Sequence, residues 1–250
     1  MIGKSAYCKV SISPIRAENK DQAEIVSQLL FGEVITINEI QENWVNITTL
    51  FDAYSGWIDI KHLKLLSEKE LKRWLDGLSP TFDFLTEIKT PWGNQRLIRG
   101  SYLPNENQFN IGNDSFEIIS SSKDKLPATI FETALSYLNT PYLWGGKQPF
   151  GIDCSGFTQM VYRFHGFNLP RDASQQVEIG QEIEFEDNIE GDIAFFHNKN
   201  GKIIHVGILD GKGNIIHASG CVRIDTLTKE GIVHSDSRTT THNLNCIKRV

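Results

Sequence analysis

The chain changes character at Pro127, and that break limits the possible folds more than any other feature. Ahead of it, short runs of β-branched and aromatic residues alternate with turn signals, the pattern of small β-barrels. Behind it, two stretches carry apolar residues at helical spacing, and three strand-like segments follow. Helices followed by an antiparallel sheet predict an α+β domain. The expected organisation is 1–66 as a small barrel, 67–124 as a linker helix with a second β region, and 125–250 as the α+β domain.

Within the first region the expected strands cover 6–12, 33–37, 44–47 and 56–60. Ser67 with Glu70 three residues on is a capping box, and Leu71, Trp74, Leu75 and Leu78 repeat at helical spacing. A helix should start there, its apolar face used for packing. From 80 to 122 the chain is strand-like again, punctuated at Gly93-Asn94, Pro104-Asn105 and Gly112-Asn113-Asp114. Beyond the break, helices are expected over 127–138, with Pro127 in the first turn, and over 155–165, ended by Gly166. Strands should cover 191–196, 203–209 and 213–219.

Composition excludes several functions. The formal net charge is −6 and no basic stripe occurs, so nucleic acid is not an expected partner. No run approaches the ~18 apolar residues of a membrane span, so no membrane partner is expected. Residues Met1 to Val10 hold no apolar signal region, and the cytoplasm is the expected compartment; a secreted or periplasmic site is the alternative if a leader is missing. The four cysteines, Cys8, Cys154, Cys221 and Cys246, match neither a zinc ribbon nor a CxxC pair. Cys8, Cys221 and Cys246 read as small hydrophobes.

Cys154 is different. It lies in Gly151-Ile152-Asp153-Cys154-Ser155-Gly156, at the start of a predicted helix. A helix N-terminus stabilises a thiolate, and Gly151 and Gly156 leave room for a substrate backbone. His205 and His217 fall on two strands joined by Asp210-Gly211-Lys212-Gly213. Centring that turn near Gly211 sets the two histidines directly opposite each other, on one face of the sheet; a two-residue shift would leave them diagonal neighbours. One can take the thiol proton and the other can fix its tautomer. The set points to amide hydrolysis through a thioester. A zinc site would need a fourth ligand that the spacing does not offer.

These residues sit inside ordered motifs over about 125–225: Thr140 to Gly146, Gly151 to Phe157, Leu169-Pro170-Arg171, Gln176 with Gly180, Gly191-Asp192, Phe195-Phe196, His205 to Leu209, and Ile216-His217-Ala218. The stretch resembles the NlpC family of peptidoglycan cysteine peptidases, which have a papain-like core. The N-terminal region, with Gly56-Trp57-Ile58 near its end, resembles a bacterial SH3 domain, and 80–122 a degenerate second one. The resemblance implies Cys154 as nucleophile, His205 as general base, His217 as the orienting third residue and Tyr142 as a hydroxyl donor to the oxyanion. It implies cleavage between γ-linked D-glutamate and a diamino acid of murein stem peptides, without metal or organic cofactor.

The SH3-bearing branch of the family acts on free stem peptides and recognises the amino group of L-Ala. Carried over, Glu18, Tyr54 and Asp172 would bind that amine, while Trp144, Asp153 and Ser155 would line the D-Glu site. Ala173 replaces a serine of some relatives, which removes a side-chain contact. The rival readings are a wall-remodelling endopeptidase or N-acyltransferase sharing the same core, and a non-catalytic module binding wall peptides. Lysine or diaminopimelate at the third position, and the oligomeric state, stay open.

Overall fold

Alternation between covered and exposed side chains organises the first half of the chain. Trp44–Thr49 buries Val45, Ile47 and Thr49 and turns the residues between them outward, the period-2 pattern of a strand with one covered face. The computed structural model describes residues 1–250 and divides them into two compact units, Met1–Lys125 and Leu126–Val250. No helix is long and apolar enough to cross a membrane.

In the first unit, seven strands form an SH3-like sheet in the order Ile25–Leu30, Ile12–Arg16, Ser55–Asp59, Trp44–Thr49, Val34–Gln41, Ser5–Cys8, Leu63–Leu66. The single strand expected over 6–12 is two. The chain leaves the sheet after Cys8, where the N–H groups of Cys8 and Lys9 bond the carbonyls of Glu33 and His62, and re-enters at Ile12. The strands Ile25–Leu30 and Leu63–Leu66 were not foreseen, since neither carries the alternation used to find the others. A second sheet follows in the order Gly93–Ile98, Leu85–Thr90, Asp114–Ser121, Gln108–Ile111. The helix Glu68–Leu75 starts at the Ser67–Glu70 capping box. Its Trp74 joins a core with Tyr7, Ile88, Phe109 and Phe116, residues of both sheets, and with Phe31 of the turn after Ile25–Leu30, and the indole N–H donates to the Gly32 carbonyl at 2.9 Å.

In the second unit, the helix expected over 127–138 is confined to Ile130–Leu135. Thr129 caps it: its hydroxyl accepts the Glu132 N–H at 3.1 Å, and the Glu132 carboxylate accepts the Thr129 N–H. That Thr-x-x-Glu box, not Pro127, sets the start. The helix Cys154–Phe164 is buried along its whole length. It packs on the strands Ile203–Asp210 and Asn214–Ser219.

The sheet runs Gln181–Ile183, Thr240–Arg249, Glu190–His197, Ile203–Asp210, Asn214–Ser219, Cys221–Leu227, Gly231–Val233. Thr240–Arg249 also pairs with Gly231–Val233, which closes six of these strands into a barrel around Ala194, Phe196, Leu209, Ile215, Leu227, Ile232 and Ile247. The last three strands of this closure were not foreseen.

Candidate active site

The site is built where the buried helix meets the barrel. Asp153 is the N-cap and Cys154 the first helical residue. The Asp153 carboxylate accepts the Gly156 N–H at 2.7 Å and the Gly145 N–H at 2.8 Å. It also takes both terminal nitrogens of Arg171, at 3.0 and 2.5 Å. Arg171 reaches Ser155 Oγ as well, at 2.9 Å. These contacts hold Asp153 in place beside the nucleophile. Its oxygens are buried and already occupied, so Asp153 positions the nucleophile's helix. Ser155 is buried in the same network, whereas Trp144 is 60% exposed.

The glycines around Cys154 serve a different purpose from the one expected. A Cβ on Gly156 would stand 2.2 Å from the Gly146 carbonyl oxygen, and one on Gly151 would stand 2.8 Å from the Leu143 side chain. They let the loop before the helix fold against the helix's first turn. Gln176 secures the other side: its amide donates to the carbonyls of Ser155 and Pro170 at 2.9 and 2.8 Å, and its oxygen accepts the Thr158 hydroxyl at 2.7 Å.

Burial pushes the Cys154 thiol up to about 12. The Asp153 charge adds to this, and the Arg171 charge with backbone hydrogen bonds at Ser155 and Val206 pulls the other way. Desolvation therefore outweighs the helix N-terminus, and the resting group is a thiol that needs a base. Val206 adjoins His205, so the sulfur sits against the histidine-bearing strand. Tyr142 lies beside it. Burial raises its phenol to about 12, with the charges of Cys154 and Asp153 adding.

His205 and His217 come together, but not as a directly opposed pair. Ile208 pairs with Ile216 and Leu209 with Ile215. The turn thus centres on Lys212, between Gly211 and Gly213, both at positive φ. The Asp210 carboxylate holds it by accepting the N–H groups of Lys212 and Asn214 at 2.7 and 2.9 Å. Continuing that register puts Gly207 opposite His217 and leaves the histidines diagonal. A Cβ on Gly207 would stand 2.8 Å from the His217 Cβ, so the glycine gives His217 its place. His205 Nε2 and His217 Nδ1 are 2.7 Å apart, with the rings edge-on at 84°.

Asp225 was missed by the sequence reading. Its Oδ2 lies 3.1 Å from His217 Nε2, and both side chains are 1% exposed. Burial works to raise the Asp225 carboxyl. Hydrogen bonds from His217 and the Ser235 N–H, with the Arg223 charge, outweigh it and hold the carboxyl well below the usual range. A carboxylate only accepts, so His217 Nε2 carries the hydrogen. Its Nδ1 is then the acceptor, His205 Nε2 is the donor, and the lone pair of His205 is on Nδ1. Burial, with the charges of His217 and His242, holds the His205 pKa well below 6.5. His205 is therefore neutral at neutral pH and able to take a proton.

Asp172 precedes the short helix Ala173–Gln176, and its N–H donates to Gln175 Oε1 at 3.3 Å. Glu18 and Tyr54 belong to the first unit. Glu18 is exposed and pairs with Lys20 at 2.7 Å. The Tyr54 N–H donates to Thr49 Oγ1 at 2.8 Å.

A buried thiol at a helix start, beside a histidine pair on a barrel, defines a papain-like cysteine peptidase. Residues 139–239 match the NlpC/P60 family model, and residues 15–63 match a bacterial dipeptidyl-peptidase SH3 domain. The chain is 30% identical to the gamma-D-glutamyl-L-lysine dipeptidyl-peptidase of Bacillus subtilis over 233 residues, covering 82% of this chain and 77% of that protein. It is 29% identical to dipeptidyl-peptidase 6 of Lysinibacillus sphaericus, over 81% of this chain and 83% of that one. A crystal structure of an NlpC/P60 family protein from Bacillus cereus superposes with a TM-score of 0.79 at 19% identity, over 98% of this chain and 99% of that one; the fold is therefore shared from end to end. The protein belongs to the NlpC/P60 family and is a cysteine peptidase.

Proposed function

We propose that the protein is a γ-D-glutamyl–L-diamino acid peptidase that releases L-Ala-D-Glu from free murein stem peptides. The observation that carries this reading is the extent of the likeness. It covers four-fifths of the chain against two relatives named as dipeptidyl-peptidases, and it includes the SH3 domain of that type. A likeness confined to the catalytic half would have favoured a wall endopeptidase.

In this mechanism His205 Nδ1 takes the Cys154 proton as the sulfur attacks the γ-D-glutamyl carbonyl. The Tyr142 hydroxyl and the Cys154 N–H donate to the oxyanion. His205 then protonates the departing amine, and water enters by the same base to resolve the thioester. His217 and Asp225 keep His205 in the required tautomer throughout. Asp172, in the catalytic unit, offers its carboxylate to the free ammonium of L-Ala in a charge-assisted hydrogen bond, and Glu18 and Tyr54 are the first unit's candidates for recognising that group. Glu18 exchanges its exposed Lys20 partner for the substrate, at little cost because surface pairs contribute ~0–1 kcal/mol. Trp144 lines the approach to the D-Glu residue. Such an enzyme works in the cytoplasm on imported peptides, and fractionation of the producing cell tests that placement.

The functional test is a paired mass-spectrometric assay. L-Ala-γ-D-Glu-L-Lys and its diaminopimelate counterpart are offered with the amine free and with the amine acetylated. Release of L-Ala-D-Glu from the free peptides alone is expected. Equal cleavage of the acetylated peptides would remove the amine site and favour wall remodelling.

A further inference from the structure

The face of the His205 ring is covered by another imidazole. His242, on the strand Thr240–Arg249, stacks on His205 with centroids 4.2 Å apart and planes 23° apart. Phe196 meets both rings, at 5.9 Å from His205 and 6.1 Å from His242. The placement is tightly held. Ile232 pairs with His242 and His197 with Asn243. A Cβ on Gly231 would stand 1.8 Å from the His242 carbonyl oxygen, so only glycine admits the strand that carries the stacking ring.

The titratable groups around His242 are His205 on Ile203–Asp210, His217 on Asn214–Ser219, and Asp225 on Cys221–Leu227. Burial, with His217 adding and Asp225 opposing, lowers the His242 pKa to about 4. At neutral pH the ring on His205 is thus an uncharged aromatic face. The hydrogen bond to His217 fixes one edge of the His205 ring, and the stacked His242 fixes the plane of the ring.

We propose that His242 is a positioning residue for the base, holding the plane of His205 and stabilising, through its π face, the imidazolium that forms when His205 takes the thiol proton. This rests on the reading of His205 as general base. It adds a group from a strand that no motif covers.

Two variants of the full chain separate stacking from bulk: His242→Leu keeps volume without the π face, and His242→Phe keeps the face without titration. Both are compared with wild type and His205→Ala. The readouts are the alkylation rate of Cys154 by iodoacetamide, mapped by peptide mass, and kcat and KM on the free stem peptide. Thermal melts verify folding. At pH 7, His242→Leu should lower the alkylation rate and kcat ~5- to 10-fold with KM nearly unchanged, while His242→Phe should recover most of the loss. Folded Leu and Phe variants that behave alike, or a Leu variant as fast as wild type, would overturn the proposal. The reading of His205 fails separately, if wild type is alkylated no faster than His205→Ala.

Discussion

Replacing Arg171 with methionine tests what holds the nucleophile in place. The Arg171 and Asp153 side chains are 1% and 6% exposed, and the guanidinium also reaches Ser155. Methionine fills much of the same space but leaves the Asp153 charge buried with two backbone N–H donors. Breaking a buried pair from one side costs about 3–5 kcal/mol, since the remaining charge stays out of water. With an m-value of about 2 kcal/mol/M, the urea midpoint of the second unit should fall by about 2 M. Pulse proteolysis with mass mapping of fragments from 126–250 reads that unit alone. Adding Asp153→Asn to Arg171→Met should cost less than Asp153→Asn does in wild type, because the two groups interact directly. A midpoint shift under about 0.5 M, or strictly additive losses, would refute the view that this pair anchors the Cys154 helix.

Other consequences follow from the same geometry. Asp225→Asn lets the amide donate to His217 as well as accept from it, so the tautomer is no longer enforced; kcat should fall ~10-fold or more with KM little changed. An unaltered kcat would remove Asp225 from the chain of hydrogen bonds. Gly207→Ala places a methyl against the side chains of Ile215 and His217, costing ~1–3 kcal/mol by overpacking and most of the activity; a melt and a rate measurement check both, and full activity would show that His217 need not stay where it is. The acid limb of kcat/KM reports His205 in the free enzyme. Its pKa is lowered, so activity should persist as pH falls through 6.5 and be lost only below it. A limb at or above 6.5 would contradict a neutral, buried base.

The nucleophile was legible because local signals converge on Cys154: a helix start and two glycines within six residues. The histidine pair was legible from a Gly-rich turn between two β-branched runs. The register was misread by the turn's length, since Asp210 caps a three-residue Gly211-Lys212-Gly213 loop whose centre lies one residue later than assumed. Asp225 and His242 could not be found that way. Asp225 reaches His217 across the tight hairpin of Asn214–Ser219 with Cys221–Leu227, a strand the alternation did not reveal, and His242 arrives through barrel closure, the long-range pairing of Thr240–Arg249 with Glu190–His197 and Gly231–Val233. The helix start at Thr129 was available in the sequence as a Thr-x-x-Glu box, and the proline upstream obscured it. Likewise the glycines beside Cys154 announced a close approach, but only the packing shows that the approaching group is the chain's own Gly146 carbonyl.

The central claim is that Cys154 becomes acylated by the γ-D-glutamyl group. Mixing the enzyme with free stem peptide, quenching in acid within the first turnover and mapping the digest by mass is the most direct measurement. A thioester of L-Ala-D-Glu on the peptide containing Cys154, absent in Cys154→Ala and sensitive to hydroxylamine, is expected. Product formation with no adduct on Cys154, or an adduct on Cys8, Cys221 or Cys246 instead, would contradict it.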